Sequence, residues 1–323
     1  MLRYLIRRAL WALLLFVAVT LVTYLIFFVA PTNPGRLVCG GQQAQSDCIK
    51  RATENLGLNK PIIVQYGIFL KHLVVDQSLG TSFINRQSVN TVVAGAAPVT
   101  AALVFGGMIL WLSIGLCVGI FSALRPRSLL DRGAMVFVLV GVSAHPIWIG
   151  LLFSYIFGFK LGWFPITGYS DFFNPAEGTI GGPWPWFYHM ILPWLTFGIL
   201  GAALYVRMIR ANVIETMSED YVRTARSKGA PESRVMRSHI LRNALLPIVT
   251  ILGMDVGISL GGAIFTETVY SLPGLGHIAI NAVGNYDLPV VQGVVVFATT
   301  AIIGFNLFVD IVYAWVDPRI RLE

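Results

Sequence analysis

Residues 218–229 read Ser218-Glu-Asp-Tyr-Val-Arg-Thr-Ala-Arg-Ser-Lys-Gly229, with Pro231 just beyond. This is the order of a short helix that starts and stops itself. Ser218 is placed to cap the first free amides, and Glu219 and Asp220 complement the positive start of the helix dipole. Arg226 and Lys228 suit its end, and Gly229 can take the left-handed closing conformation. A helix of about ten residues is too short to be stable alone. It is expected to be held between the rest of the chain and a partner, with Tyr221, Val222 and Ala225 as contacts in a groove. Pro231 suits the first position of a second helix running towards Leu245, where Pro247 opens an apolar segment.

The stretch lies in a basic island from Arg207 to Leu246 that carries eight Lys or Arg and is apolar on both flanks. The chain has 323 residues, 56% hydrophobic and 12% charged, with mean hydropathy +0.72. A soluble domain carries about 25% charged residues, so this is read as an integral membrane protein. Six apolar stretches, at 9–30, 98–124, 134–158, 188–209, 246–266 and 290–314, reach the roughly 20 helical residues that cross a bilayer. No period-2 barrel pattern appears, so all are read as helices. The first follows Arg3, Arg7 and Arg8 and is closed by Pro31 to Gly35 rather than by a small-residue cleavage site. It reads as a retained span, not a signal peptide.

Placing the N-terminus inside assigns Arg3, Arg7, Arg8, Arg125, Arg127, Arg132, the island, Arg319 and Arg321 to the cytoplasm. The basic residues left outside fall in the loop 31–97, except Lys160. That loop is long enough to escape the positive-inside rule. The positive charge is therefore a topology signal, and no nucleic-acid partner is indicated. The expected fold is all-α, one domain over 1–323, with six transmembrane helices and both termini cytoplasmic. The loop 210–246 is then inside, and 31–97 and 266–289 are outside.

Cys39 and Cys48 share the long outer loop, where an oxidising compartment permits a disulfide; two unrelated thiols is the alternative. Cys117 reads as a small buried hydrophobe. Leu58, Ile62, Ile63, Tyr66, Phe69, Leu70 and Leu73 recur at helical spacing around Pro61 and predict an amphipathic helix against the membrane or the next span. Trp163, Tyr169, Trp184, Trp186 and Tyr188 fit an interfacial aromatic belt. The segment 266–289, punctuated by Pro273, Gly274 and Gly276, reads as a re-entrant or surface helix.

Enzymatic motifs are absent: there is no G-x-x-x-x-G-K-[ST], H-E-x-x-H or G-x-S-x-G. No catalytic residue and no metal site is assigned, and the five histidines are scattered. A transporter or channel is the better class. Gly253, Gly257 and Gly261 form a small-residue stripe for close helix packing. Asp255 lies about 200° round the helix from that stripe, on a face shared with Ser259, Gly262 and Thr266. An intramembrane carboxylate lines a cavity or finds a polar partner. Asp255, Ser259 and Thr266 are thus candidates for a solute path, and an inter-helix hydrogen bond is the other reading. Asn306 and Asp310 share a face of the last stretch, and His145 before Pro146 predicts a kinked third span.

Asp220-Tyr-Val-Arg-Thr-Ala-Arg-Ser-Lys-Gly229 followed by Leu241-Arg-Asn-Ala-Leu-Leu-Pro247 resembles the EAA loop of ABC-importer permeases, in the dipeptide/oligopeptide branch. Arg223, Thr224 and Ala225 stand where the general pattern has EAA, so only Ala and Gly of that core remain. Leu58-Asn-Lys-Pro61 with Gln65-Tyr66, Trp163-Phe-Pro165 with Gly168-Tyr169, and Glu267 with Ser271-Leu-Pro-Gly-Leu-Gly276 resemble the same branch. So do Pro289 with Gln292-Gly293 and Asp310 with Asp317-Pro-Arg-Ile-Arg321; the Cys39 and Cys48 insert does not.

The resemblance implies a type I importer permease in the plasma or inner membrane, paired with a homologous second permease. Its other partners would be two ATPase subunits, an extracytoplasmic solute-binding protein and a peptide substrate. Asp220, Tyr221, Val222, Arg223, Thr224, Ala225, Arg226, Lys228 and Gly229 would form the ATPase-coupling helix. ATP and Mg would belong to the partner subunits, with no cofactor on this chain. Similar permeases also handle glutathione and nickel chelates. The rival classes are an ion-coupled carrier using Asp255 and a membrane scaffold without transport.

Overall fold

The computed structural model describes residues 2–26, 46–55, 60–173 and 181–316. Every regular element among them is helical, apart from an isolated bridge between Thr81 and Ser88. In chain order these are α1 (Leu2–Tyr24), α2 (Ser46–Asn55), α3 (Ile62–Val74), α4 (Val89–Leu124) and α5 (Leu129–Ser143). Next come α6 (Pro146–Lys160, ending in a π-wound turn), α7 (Pro183–Met217), α8 (Asp220–Ser227) and α9 (Glu232–Ala244). The last four are α10 (Leu246–Gly262), α11 (Ile264–Tyr270), α12 (Leu275–Gly284) and α13 (Leu288–Val316).

Among the described residues three helices are long and apolar enough to cross a membrane, namely α4, α7 and Leu288–Val309 of α13, and up to five spans result if each bent pair counts as one. The pairs are α5 with α6, bent by 110°, and α9 with Leu246–Leu260, bent by 42°. The apolar part of α1, Leu10–Tyr24, is shorter, and residues 27–30 of the first expected span lie outside the described residues, as does Cys39. The third expected span is broken rather than kinked. Ala144 and His145 are extended, and the His145 Nδ1 accepts the Ile147 amide at 3.3 Å to start α6 at Pro146. Proline cannot continue α5, and the residue before it is pushed out of helical geometry.

The chain divides into two compact units. One comprises Met1–Thr100, Leu260–Ile264 and Pro273–Glu323. Within it α1 runs along α13, and α12 packs on α13. Val89, Val93, Ala96, Leu275, Ala282, Val290, Val291 and Val294 form its buried apolar cluster. The amphipathic α3 begins after Pro61, as its periodicity predicts, and seats its Gln65, Tyr66 and Phe69 face on α1. Tyr24 Oη donates to Gln65 Oε1 at 3.0 Å, and Tyr66 Oη lies 2.8 Å from Thr20 Oγ1. Leu275, Gly276 and Ala282 of α12 are buried, whereas Ile280, Val283 and Tyr286 are exposed. Asp287 receives the Ser82 hydroxyl and, at 3.0 Å, the Phe83 amide, which ties two of the expected outer loops together.

The other unit comprises Ala101–Ser259 and Phe265–Leu272. Its axis is α7, against which α5, α6 and α9 pack. Ala134 and Val138 of α5 meet Val206 of α7 in a buried cluster. A Cβ on Gly141 would come within 2.6 Å of that of Ala203, so the two helices touch at a point only glycine permits. Cys117 is exposed among the described residues, which corrects the expectation of a buried hydrophobe. The belt residues Trp163 and Trp184 are exposed, and the Tyr188 hydroxyl donates to the Trp163 carbonyl.

Candidate functional site

The island folds as two helices joined by a tight turn. α8 closes with the Ala230 amide on the Ala225 carbonyl at 3.2 Å and the Gly229 amide on the Arg226 carbonyl at 2.9 Å. That pair of bonds is a Schellman motif, and it requires a left-handed residue at the turn. Gly229 supplies it with φ of 76°. Across the turn, Arg226 grips Glu232 with two hydrogen bonds, 2.6 and 3.2 Å long. These bonds hold the Glu232 carboxyl below its ordinary range. Pro231 stands just before α9, whose stretch Val235–Leu241 winds as a π-helix.

The start of α8 differs from expectation. Ser218 ends α7 and its hydroxyl donates back to the Glu215 carbonyl at 2.7 Å. Glu219 is the first residue flanking α8, and its side chain makes no cap. The reason is that α7 persists to Met217, leaving carbonyls behind Ser218 that compete for its hydroxyl.

The faces of α8 also differ. Val222, expected among the contacts for a partner, is fully buried within its own chain, and α8 packs on α9. The helix has few apolar residues and its own chain takes the central one. Tyr221 is partly exposed and its hydroxyl accepts from Asn243 of α9 at 3.0 Å, while Ala225 is half-buried. What α8 turns outward is polar: Asp220, Arg223, Thr224, Ser227 and Lys228 are exposed, with Arg226 beside them.

On α10, Gly253 and Gly257 are buried, whereas Asp255 and Ser259 are half-buried; of the Gly261 surroundings nothing is described. Asp255 Oδ2 accepts the Tyr205 hydroxyl of α7 at 2.8 Å. Tyr205 is itself buried and stacks on Trp111 of α4, centroids 5.9 Å apart. Thr266 lies on the helix that follows α10. α10 stops at Gly262, the chain turns at Ala263, and Thr266 lies buried in α11. The Asp310 and Cys48 side chains fall outside the described residues.

One cluster went unread in the sequence. Asp131, near the start of α5, accepts Arg210 Nε at 2.6 Å and its Nη2 at 3.0 Å, together with the Ser122 hydroxyl and the Arg127 amide at 2.8 Å. The Arg210 bonds foremost, then those from Ser122 and Arg127, hold the Asp131 carboxyl well below the usual carboxylate range. Ser128 accepts the Asp131 amide at 3.2 Å. The Ser128-x-x-Asp131 spacing is a signal from which this helix start could have been read; the Arg210 partner is distant in sequence and left none.

The family model described as "Binding-protein-dependent transport system inner membrane component" matches residues 115–322, and that described as "Binding-prot-dependent transport system membrane comp, N-term" matches residues 1–104. The chain belongs to this family. As an inner-membrane component of a binding-protein-dependent system, it is a multi-pass membrane protein, and the apolar α4, α7 and α13 are among its candidate membrane helices.

Relatives extend over the whole length. The dipeptide transport system permease protein DppB of Alkalihalophilus pseudofirmus is 35% identical, covering 99% of this chain and 100% of the relative. The di/tripeptide transport system permease protein DppB of Pseudomonas aeruginosa is 35% identical over 99% of each. The glutathione transport system permease protein GsiC of Salmonella typhi is 34% identical over 100% of each. A solved structure, "Crystal structure of an amino acid ABC transporter with histidines", aligns with TM-score 0.51 at 15% identity over 69% of this chain and 94% of the other. Over the aligned part this chain shares its helical fold with that transporter.

Proposed function

We propose that this chain is the membrane-spanning subunit of an ATP-driven importer of short peptides, forming half of a translocation path completed by a homologous permease. In this reading six helices cross the membrane with both termini cytoplasmic. A solute-binding protein delivers the peptide outside, and two separate ATPase subunits bind Mg-ATP inside, so that this chain is not itself catalytic. Full-length similarity to dipeptide, di/tripeptide and glutathione permease proteins supports short peptides, the tripeptide glutathione included, as the solute class.

The observation that carries the reading is α8. It is closed by its own Schellman turn and anchored by buried Val222, yet it presents Asp220, Arg223, Thr224 and Ser227 outward. A helix fixed on one side and polar on the other is suited to receive a partner's push and pass it on through α7 and α9. Asp255 and Ser259 belong to the solute path in this reading, and Gly253 and Gly257 to the packing side of α10. An ion-coupled carrier built on Asp255 is less well supported, because Tyr205 already engages one carboxylate oxygen.

The test is purification with its ATPases and binding protein, followed by uptake of a di- and tripeptide panel, glutathione included, into proteoliposomes. Uptake should require hydrolysable ATP and survive collapse of the ion gradients. Uptake that persists with ATP hydrolysis blocked but vanishes with the gradient would overturn the reading.

A further inference from the structure

Asp131 and Arg210 join three helices at one corner. Ser122 lies near the end of α4, Asp131 near the start of α5, and Arg210 on α7. The Asp131 side chain keeps only 6% of its surface and that of Arg210 25%. Arg210 Nε also reaches the Ser122 hydroxyl at 3.1 Å. Both carboxylate oxygens and the guanidinium fork are therefore engaged, in the bidentate geometry that fixes relative orientation as well as charge.

The position of the corner on α7 gives it a mechanical meaning. From Arg210 to the end of α7 at Met217 is roughly 10 Å of helix at 1.5 Å per residue, and α8 begins just beyond. Along that last stretch Val213 is fully buried and the Asn212 side-chain amide donates to the Ala244 carbonyl at the end of α9 at 3.3 Å. The end of α7 is thus held on one side by the α4–α5 corner and on another by α9, the element on which α8 rests. Further along, α5 touches α7 again at Gly141 and Ala203 and then reaches the break at Ala144 and His145.

We infer that Asp131 and Arg210 are positioning residues for transport: their fork makes the α4–α5 corner move with the α7–α8 lever, so that displacement of α8 turns α5 as well as α7. A plain point charge would attract without fixing the angle between helices, whereas a guanidinium fork on a satisfied carboxylate fixes both. The inference rests on the importer reading above, and its readout is separate from that reading.

The experiment uses the whole complex with its ATPases and binding protein, comparing wild type with Asp131→Asn and Arg210→Lys for ATP hydrolysed per peptide imported. Absence of ATP-driven uptake in the wild type would count against the importer reading itself. With the wild type active, Asp131→Asn should copurify with the ATPases and raise the ATP consumed per peptide about fivefold, within the range by which single side chains alter coupling. Arg210→Lys should give a smaller rise, because the charge stays and the fork is lost. A merely structural pair would lower the melting temperature and leave the ratio alone. An unchanged ratio in either assembled variant overturns the inference, and so does failure of both variants to assemble, which would assign the pair to folding alone.

Discussion

The Tyr205 hydroxyl donates to the Asp255 carboxylate over 2.8 Å, linking α7 to α10. The bond separates two roles that substitution can test. Asp255→Asn keeps an acceptor for Tyr205 and removes the charge, whereas Tyr205→Phe keeps the charge and removes its donor. With Asp255 on the solute path, Asp255→Asn should lower peptide uptake about tenfold, the worth of a charge-assisted hydrogen bond, with assembly intact. Tyr205→Phe should act chiefly on stability, by about 1–3 kcal/mol for a carboxylate left without its partner. Uptake assays and thermal melts of both variants check this; full uptake in Asp255→Asn would make the carboxylate a tether only.

Gly229 has a positive φ but open space where a Cβ would stand. Substitution there is opposed by the backbone alone, at about 1–2 kcal/mol for an ordinary residue. Gly229→Val should raise ATP consumed per peptide without loss of membrane insertion, and Gly229→Asn, which tolerates the left-handed region, should stay close to wild type. Equal coupling in wild type and Gly229→Val would show the cap to be dispensable.

Asp131 gives a pH signature with a definite sign. Its folded carboxyl titrates below the unfolded value of about 3.9. The stabilisation is therefore present above that pH and is lost as pH falls through the folded value. The difference in melting temperature between wild type and Asp131→Asn should hold steady from pH 8 to about 5 and shrink only below about 4. A difference that vanishes between pH 7 and 5 would point to a histidine instead.

Ser227 and Asn85 are both exposed and on the six-span reading lie on opposite sides of the membrane. In a background lacking reactive cysteines, Ser227→Cys should react with an impermeant maleimide only in inverted vesicles, and Asn85→Cys only from outside. Labelling of both from one side would refute the topology.

Helices announced by local chemistry were readable from the chain. Gly229 and Pro231 marked the turn of the island, and the spacing of Ile62, Tyr66 and Phe69 marked α3. What escaped were outcomes decided between distant residues. Ser218 looked like a cap because its place at the end of α7 depends on how far that helix persists. Val222 looked like a docking residue, whereas the folded chain buries it completely. Thr266 was placed on a face by extrapolating one helix through Ala263, where the chain turns. Arg210 meets Asp131 from far along the sequence, and no local pattern records a contact of that separation. The break at His145 was visible, but its 110° angle depends on packing that proline alone does not dictate.

The burial of Val222 within its own chain separates anchoring from display on α8. Because the residue that anchors α8 is not among those it displays, Asp220, Arg223, Thr224 and Ser227 can drift without unfolding the island. On the importer reading, the surface offered to the ATPase can be altered one side chain at a time while the buried anchor beneath it is left untouched.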